Sequence, residues 1–222
     1  MAIPGIAPYP MPQRDELPAN TAPWRPDPRR AAVLVHDMQR YFVAPFPAGQ
    51  EPALSLVGNT RKLVERSRSL GIPVVYTAQP GDMTDGQRGL LKDFWGPGMQ
   101  TAPEHRAIIE EVAPSPQDAP DAVFTKWRYS AFHGNGLRDH LRRLGRDQLV
   151  ICGVYAHVGC LMTAVDAFTH DVETFLVADA VADFSESHHR SALEYAAARC
   201  SVVLPTDTVL ADLGAGALVG QG

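Results

Sequence analysis

Short β-branched or apolar runs recur along the chain at Ala31 to Val35, Ile72 to Thr77, Ala122 to Thr125, Gln148 to Cys152, Thr174 to Val177 and Ser201 to Leu204, and each has strand length. Between them, apolar residues fall three and four positions apart. Leu56, Val57, Leu63, Val64 and Leu70 do so ahead of the second run, and Leu137, Leu141 and Leu144 ahead of the fourth. That is the spacing of one helix face. Further helices are expected over Cys160 to His170 and Glu186 to Arg199, with Gly71, Gly145 and Asp171 marking returns from helix to strand. The runs are continuous rather than alternating, as strands buried on both faces read. Strand and helix in alternation predict an α/β protein: a three-layer α/β/α arrangement around a mostly parallel six-stranded sheet.

Two regions depart from this rhythm. Eight of the 19 prolines lie within residues 1–30; proline removes a backbone donor and fixes φ, so this arm is expected to be extended and to wrap the domain or a neighbour. The stretch from Gln79 to Asp121 mixes turn residues (Gly81, Gly86, Gly96, Pro97, Gly98) with a short helical pattern over Pro103 to Val112, the make-up of a cover over a site. The expected organisation is an arm at 1–30, a catalytic domain at 31–210 and a glycine-rich, fraying tail at 211–222.

Composition narrows the function classes. A chain of 222 residues with 45% hydrophobic and 20% charged positions makes one domain with a real core. Its net charge of −5 lacks the basic footprint that a phosphate backbone demands, so no nucleic-acid partner is expected. Three cysteines, Cys152, Cys160 and Cys200, form no close-spaced pair and suit a reducing compartment. The N-terminus shows no signal peptide and the apolar runs are too short to span a bilayer, so the expected setting is cytoplasmic, away from membranes.

Ligands of open α/β sheets bind beyond the carboxyl ends of the strands, so the polar residues there carry the candidate chemistry. They are His36 and Asp37 after the first strand, Gln79 after the second, Lys126 after the third and Gly153 through Cys160 after the fourth. Singly, Asp37 reads equally as a helix cap and Lys126 as a solvated lysine; together they place an acid, an amide and a base at one end of the sheet.

Four motifs then carry a resemblance: Val35-His36-Asp37-Met38-Gln39-Arg40-Tyr41-Phe42, Tyr76-Thr77-Ala78-Gln79-Pro80, Lys126-Trp127-Arg128-Tyr129-Ser130-Ala131-Phe132 and Gly153-Val154-Tyr155-Ala156-His157-Val158-Gly159. They resemble the isochorismatase family, from the arm to about Leu210. The runs Gln87 to Gly98 and Ala182 to Glu186, with His188 and His189, are most similar to its branch acting on 2-amino-2-deoxyisochorismate in phenazine pathways. The family's cysteine amidohydrolases use Asp, Lys and Cys, but the nucleophile position falls here on Gly159. Cys160, one residue on, is turned about 100° away on a helix and reads as core. The Asp-x-His metal motif of those enzymes does not occur, so neither metal nor cofactor is expected.

The resemblance implies hydrolysis of a vinyl ether on a small, anionic, chorismate-derived substrate. Asp37 would be the general acid toward the vinyl carbon and Lys126 its partner. Arg88 and Gln79 would bind a substrate carboxylate, Phe42, Trp95, Tyr129 and Tyr155 would wall the site, and Gly159 would leave room and offer a backbone donor. It further implies a cis peptide between Val154 and Tyr155 and assembly as a homodimer or higher homo-oligomer. The alternatives are an isochorismatase proper serving siderophore synthesis, a silent binding protein that keeps the fold, and an amidohydrolase acting through Cys160. The end at Gly222, without an aryl-carrier domain, favours the stand-alone branch over the siderophore enzymes. His188 and His189 are expected to cap or face an interface, and His36 either orients Asp37 or packs.

Overall fold

The computed structural model describes residues 3–115 and 121–218, with side chains to residue 215. Six strands form the sheet: β1 (Ala31–His36), β2 (Val74–Ala78), β3 (Ala122–Thr125), β4 (Gln148–Val154), β5 (Glu173–Ala182) and β6 (Val202–Leu204). Their spatial order is β3-β2-β1-β4-β5-β6 and every pairing is parallel. The helices are α1 (Arg40–Val43), α2 (Ala53–Ser69), α3 (Asp85–Arg88), α4 (Leu91–Trp95), α5 (Pro103–Arg106), α6 (Leu137–Arg143), α7 (Leu161–Thr169), α8 (Glu186–Arg199) and α9 (Thr206–Leu218).

The sheet separates two apolar layers. One packs Leu56, Leu63 and Val64 of α2 and Val209 and Leu213 of α9 against Val33, Val35, Val150 and Phe175. The other packs Leu137 and Leu141 of α6, Ala164 and Ala167 of α7 and Leu193 of α8 against Leu34, Leu149, Ile151 and Leu176. Alternate residues of one strand enter opposite layers, which is why β1 and β4 are buried at every position and apolar except for His36 at the end of β1 and Gln148 at the start of β4. The chain leaves β1 toward β2 and β3 on one side and returns to β4, β5 and β6 on the other. The crevice between the carboxyl ends of β1 and β4 is therefore the switch point where such sheets bind ligands.

Several boundaries differ from the sequence pattern. β5 runs on to Ala182, past Asp179, because the Asp179 carboxylate accepts hydrogen bonds from Thr206 N and Oγ1 at 2.7 and 2.6 Å. The helix expected over Pro103 to Val112 is broken into α5 and a single turn at Glu110–Val112, since Ile108 between them bridges to Gln39 as an antiparallel pair. The stretch 211–218 is helical rather than frayed: Leu213, four residues beyond Val209, is fully buried, and this contact outweighs the low helix propensity of Gly214 and Gly216. Residues 219–222 of the expected tail lie outside the described residues.

The proline-rich arm is extended and lies along its own domain. Ile6 N donates to Pro45 O at 2.8 Å, Thr21 N to Ala197 O at 3.1 Å, and Asn20 Nδ2 to Val203 O at 2.9 Å. Tyr9 is buried beneath α8. Its hydroxyl accepts from Asp183 N at 2.8 Å and meets His189 Nδ1 at 3.3 Å, while His189 Nε2 faces Ala178 O at 2.9 Å. His188 N instead donates to Ser185 Oγ, the cap of α8.

Two fully buried histidines make stability depend on pH. Burial lowers the pKa of His189 and of His36 from 6.5 to about 4; for His36 the nearby Lys126 adds to the effect. Between these values the unfolded chain binds more protons than the folded one, so stability is undiminished above about pH 6.5 and falls progressively as pH drops toward 4. Urea denaturation between pH 7 and 4.5 is expected to show this fall, with His189→Gln reducing its slope.

Candidate active site

β1 ends in a left-handed turn. Asp37 has φ of +49°, a conformation uncommon for a residue with a side chain. Reciprocal bonds hold it: Asp37 N donates to Thr77 Oγ1 at 3.1 Å, and Thr77 Oγ1 donates to Asp37 Oδ1 at 2.6 Å. The other carboxylate oxygen accepts from Lys126 Nζ at 3.1 Å. Lys126 is placed just beyond β3 by its own N–H, which donates to Ala78 O at 2.9 Å. Both charged side chains are almost wholly buried, at 7% and 3% exposure, so the pair is an enclosed one. Burial pushes the Asp37 carboxyl up, but the Lys126 ammonium and the bond from Thr77 more than offset this and hold it below the usual value. In the unliganded protein Asp37 is therefore ionised at neutral pH.

His36 stands behind this pair. Its Nδ1 lies 2.8 Å from Val154 O, which as a carbonyl can only accept, so Nδ1 carries the proton. The peptide that follows, Val154–Tyr155, is cis. The His36 ring also occupies the space beside Gly159: a Cβ at 159 would come within 2.2 Å of His36 Cε1. Gly159 is thus bare because a fully buried imidazole takes the volume of its side chain. Its N–H donates to Tyr155 O at 3.0 Å, so it is not the free backbone donor that the sequence suggested; the turn closing the start of the helix uses it. Cys160 is fully buried, and burial raises its thiol well above the ordinary value, which suits a packing residue and not a nucleophile.

The cavity beyond these residues brings together Asp37, Phe42, Gln79, Arg88, Trp95, Lys126, Tyr129, Tyr155 and Gly159, all nine of the residues singled out from the sequence. Arg88 Nε donates to Gly96 O at 2.9 Å and Nη1 reaches Gln79 Oε1 at 3.4 Å; no carboxylate pairs with it among the described residues. Burial lowers the pKa of this guanidinium. Tyr155 is fixed by its hydroxyl, which donates to Phe42 O at 2.8 Å, and its ring stacks on Phe184 with centroids 4.0 Å apart. Phe184 also stacks on Trp95 at 5.8 Å, and Trp95 Nε1 donates to Tyr129 OH at 2.8 Å.

Other contributors were not singled out from the sequence. Thr77 holds Asp37, and a threonine near the carboxyl end of β2 was the available signal. Gln39 is fully buried: its Nε2 donates to Gln79 O and Arg106 O at 3.0 and 2.7 Å, and its Oε1 accepts from Gln79 N at 2.8 Å. Arg128 lines the cavity, as do Ile3 and Pro4 of the arm; Phe184 packs behind it. Among the described residues, His157, Asp183 and His188 are the cluster with metal-ligand character, their donor atoms within 4.8 Å of one another. Its geometry is that of a hydrogen-bonded group. Asp183 accepts from His157 N, His157 Nδ1 and Phe184 N, and the two imidazoles lie stacked at 4.4 Å and 19°, so their lone pairs do not converge.

Known proteins share this framework. The family model for the isochorismatase domain matches residues 31–208. Phenazine biosynthesis protein PhzD1 of Pseudomonas aeruginosa is 56% identical over 208 residues, 94% of this chain and 98% of that protein. An isochorismatase of Bacillus subtilis is 53% identical over 213 residues, 96% of this chain and 67% of that protein. Among solved structures, a cysteine hydrolase from Pseudomonas syringae superposes with a TM-score of 0.79 at 25% identity, covering 90% of this chain and 98% of that one. The all-parallel sheet, the acid at its switch point and the sequence match along β1 to α9 lead to one assignment: the chain belongs to the isochorismatase family.

Proposed function

We propose that this isochorismatase-type hydrolase cleaves the enolpyruvyl ether of 2-amino-2-deoxyisochorismate, giving trans-2,3-dihydro-3-hydroxyanthranilate and pyruvate. The observation that carries the reading is a buried acid–lysine pair under a cavity that, among the described residues, no cysteine lines. Such a site can deliver a proton and stabilise charge without forming a covalent intermediate. The charge balance of the cavity supports the substrate class. Arg88 and Lys126 present positive charge to it and, among the described residues that line it, Asp37 is the one acid, a balance that fits an anionic substrate. The relative from Pseudomonas aeruginosa, named for phenazine biosynthesis, supports the amino substrate. The relative from Bacillus subtilis supports the second reading, hydrolysis of isochorismate to 2,3-dihydro-2,3-dihydroxybenzoate and pyruvate.

In this mechanism Asp37, protonated in the complex, gives its proton to the methylene carbon of the enolpyruvyl group. The resulting oxocarbenium ion lies beside the carboxylate left behind, which stabilises it. Water adds to the cation and loses a proton, and the hemiketal collapses: its hydroxyl becomes the ketone of pyruvate and the ring oxygen leaves with a proton. Asp37 recovers a proton over the cycle, so substrate plus water balances pyruvate plus ring alcohol. The ionised resting state of Asp37 requires the substrate to change its pKa. A carboxylate neutralises Lys126 from the cavity side and repels the Asp37 anion, and both effects raise the pKa of Asp37. Arg88, buried without an acidic partner, would bind the other carboxylate, its planar fork suited to two parallel bonds. Phe42, Trp95, Tyr129 and Tyr155 would exclude bulk water, and bare Gly159 would leave space for the reacting group. The family resemblance is the support for a cytoplasmic homodimer or higher homo-oligomer without cofactor.

Pyruvate release measured on both substrates should be higher in kcat/KM for the amino compound. It should fall by about 10²-fold or more in Asp37→Ala, the scale of general-acid contributions. Because the protonated acid is the active form, rate is lost as pH rises. That loss should appear at higher pH in kcat, which reports the complex, than in kcat/KM, which reports the free enzyme. Iodoacetamide should leave activity intact, since Cys152 and Cys160 are fully buried and burial raises both thiols, Cys152 to about 12.

A further inference from the structure

Arg88 stands on a single helical turn, α3, within the cover segment, and Arg128 grips that turn. Arg128 Nη1 donates to Gln87 O and to Trp127 O, each at 2.7 Å. Its Nη2 lies against Gly89, where φ is +51° and an added Cβ would come within 2.8 Å of that nitrogen. Gln87 and Gly89 are the two chain neighbours of Arg88. One guanidinium therefore bonds the backbone just before the residue that faces the cavity and occupies the side-chain space of the glycine just after it.

The next residue adds a second tie, because Tyr129 OH accepts from Trp95 Nε1 on α4. Trp127, Arg128 and Tyr129 follow directly on Lys126, whose ammonium is bound to Asp37. The same short run thus delivers one charge to the acid and holds the segment that carries the other. Arginine suits this task, since a rigid planar fork can bridge separate backbone sites where an ammonium on a flexible stem acts as a point charge.

We propose that Arg128 is a positioning residue that fixes Arg88 relative to the Asp37–Lys126 pair, and so selects substrates by the span between their anionic group and their reacting carbon. The inference rests on the hydrolysis reading above. Arg128 acts through Arg88, and that dependence gives the test.

Pyruvate release and thermal melting are compared for the wild type, Arg128→Met, Arg128→Lys, Arg88→Met and the Arg88→Met/Arg128→Met double variant. A clamp predicts that Arg128→Met raises KM by about tenfold with kcat changed little. Arg128→Lys, which keeps the charge and loses the fork, should resemble Arg128→Met. The double variant should bind no worse than Arg88→Met alone, because the clamp has nothing left to act through. An unchanged KM in Arg128→Met overturns the proposal. So does full recovery by Arg128→Lys, which would make the effect one of charge, or a double variant whose KM rise is the product of the single rises, which would make Arg128 an independent ligand. If Arg128→Met melts far below the wild type, Arg128→Lys decides alone, in the same two directions. Should the wild type release no pyruvate, the hydrolysis reading fails; the same variants are then compared for isochorismate binding by intrinsic tryptophan fluorescence, where equal affinities for the wild type and both Arg128 variants overturn the clamp.

Discussion

A carboxylate and an ammonium held 3.1 Å apart out of water are the constraint on which the site depends. Isolating either charge costs several kcal/mol, and their attraction offsets this only while the geometry is kept and the remaining lone pairs are satisfied. Thr77 supplies one such bond, and the ends of β1, β2 and β3 must stay in register to keep all three groups together. The parallel sheet is therefore more than a scaffold: its pairing holds the balance that leaves Asp37 charged at rest and ready to change state when a second anion arrives.

The layers beneath serve the same geometry. His36 ties β1 to the end of β4 through Val154 O and fills the volume beside Gly159, which closes the position to any side chain. The position next to the Asp37–Lys126 pair is thus closed by packing volume and not by the choice of a reactive group.

The sheet was legible in the sequence because its central strands are buried on both faces and read as apolar runs, while the edge strand β3, half-buried and exposed in alternation, was marked by its β-branched and aromatic residues. The site was legible to the extent that its residues follow strand ends: Asp37, Gln79 and Lys126 fell out of that rule, while Arg88 and the aromatic walls needed the family motifs. What remained hidden depends on distant backbone atoms. Gln39 acts by matching the amide and carbonyl of Gln79, and Arg128 by bonding the carbonyl of Gln87; neither partner has a side-chain signature. β5 extends past the apolar run Thr174 to Val177 because the Asp179 carboxylate finds its partner in Thr206, a distant residue. The glycine-rich stretch after Ala211 likewise read as loose because a two-residue contact, Val209 and Leu213, decides its conformation.

The arm gives the molecule an asymmetry between its two ends. Ile3 and Pro4 form part of the cavity wall, and the chain behind them is anchored through Tyr9 to Asp183, whose carboxylate also fixes Phe184, the ring that stacks on Tyr155. Whatever is joined to the chain ahead of Ile3 starts from a residue of the cavity wall. Affinity handles, fluorophores and surface attachments placed there would stand beside the cavity, whereas α9 at the other end of the chain packs against α2 through Val209 and Leu213.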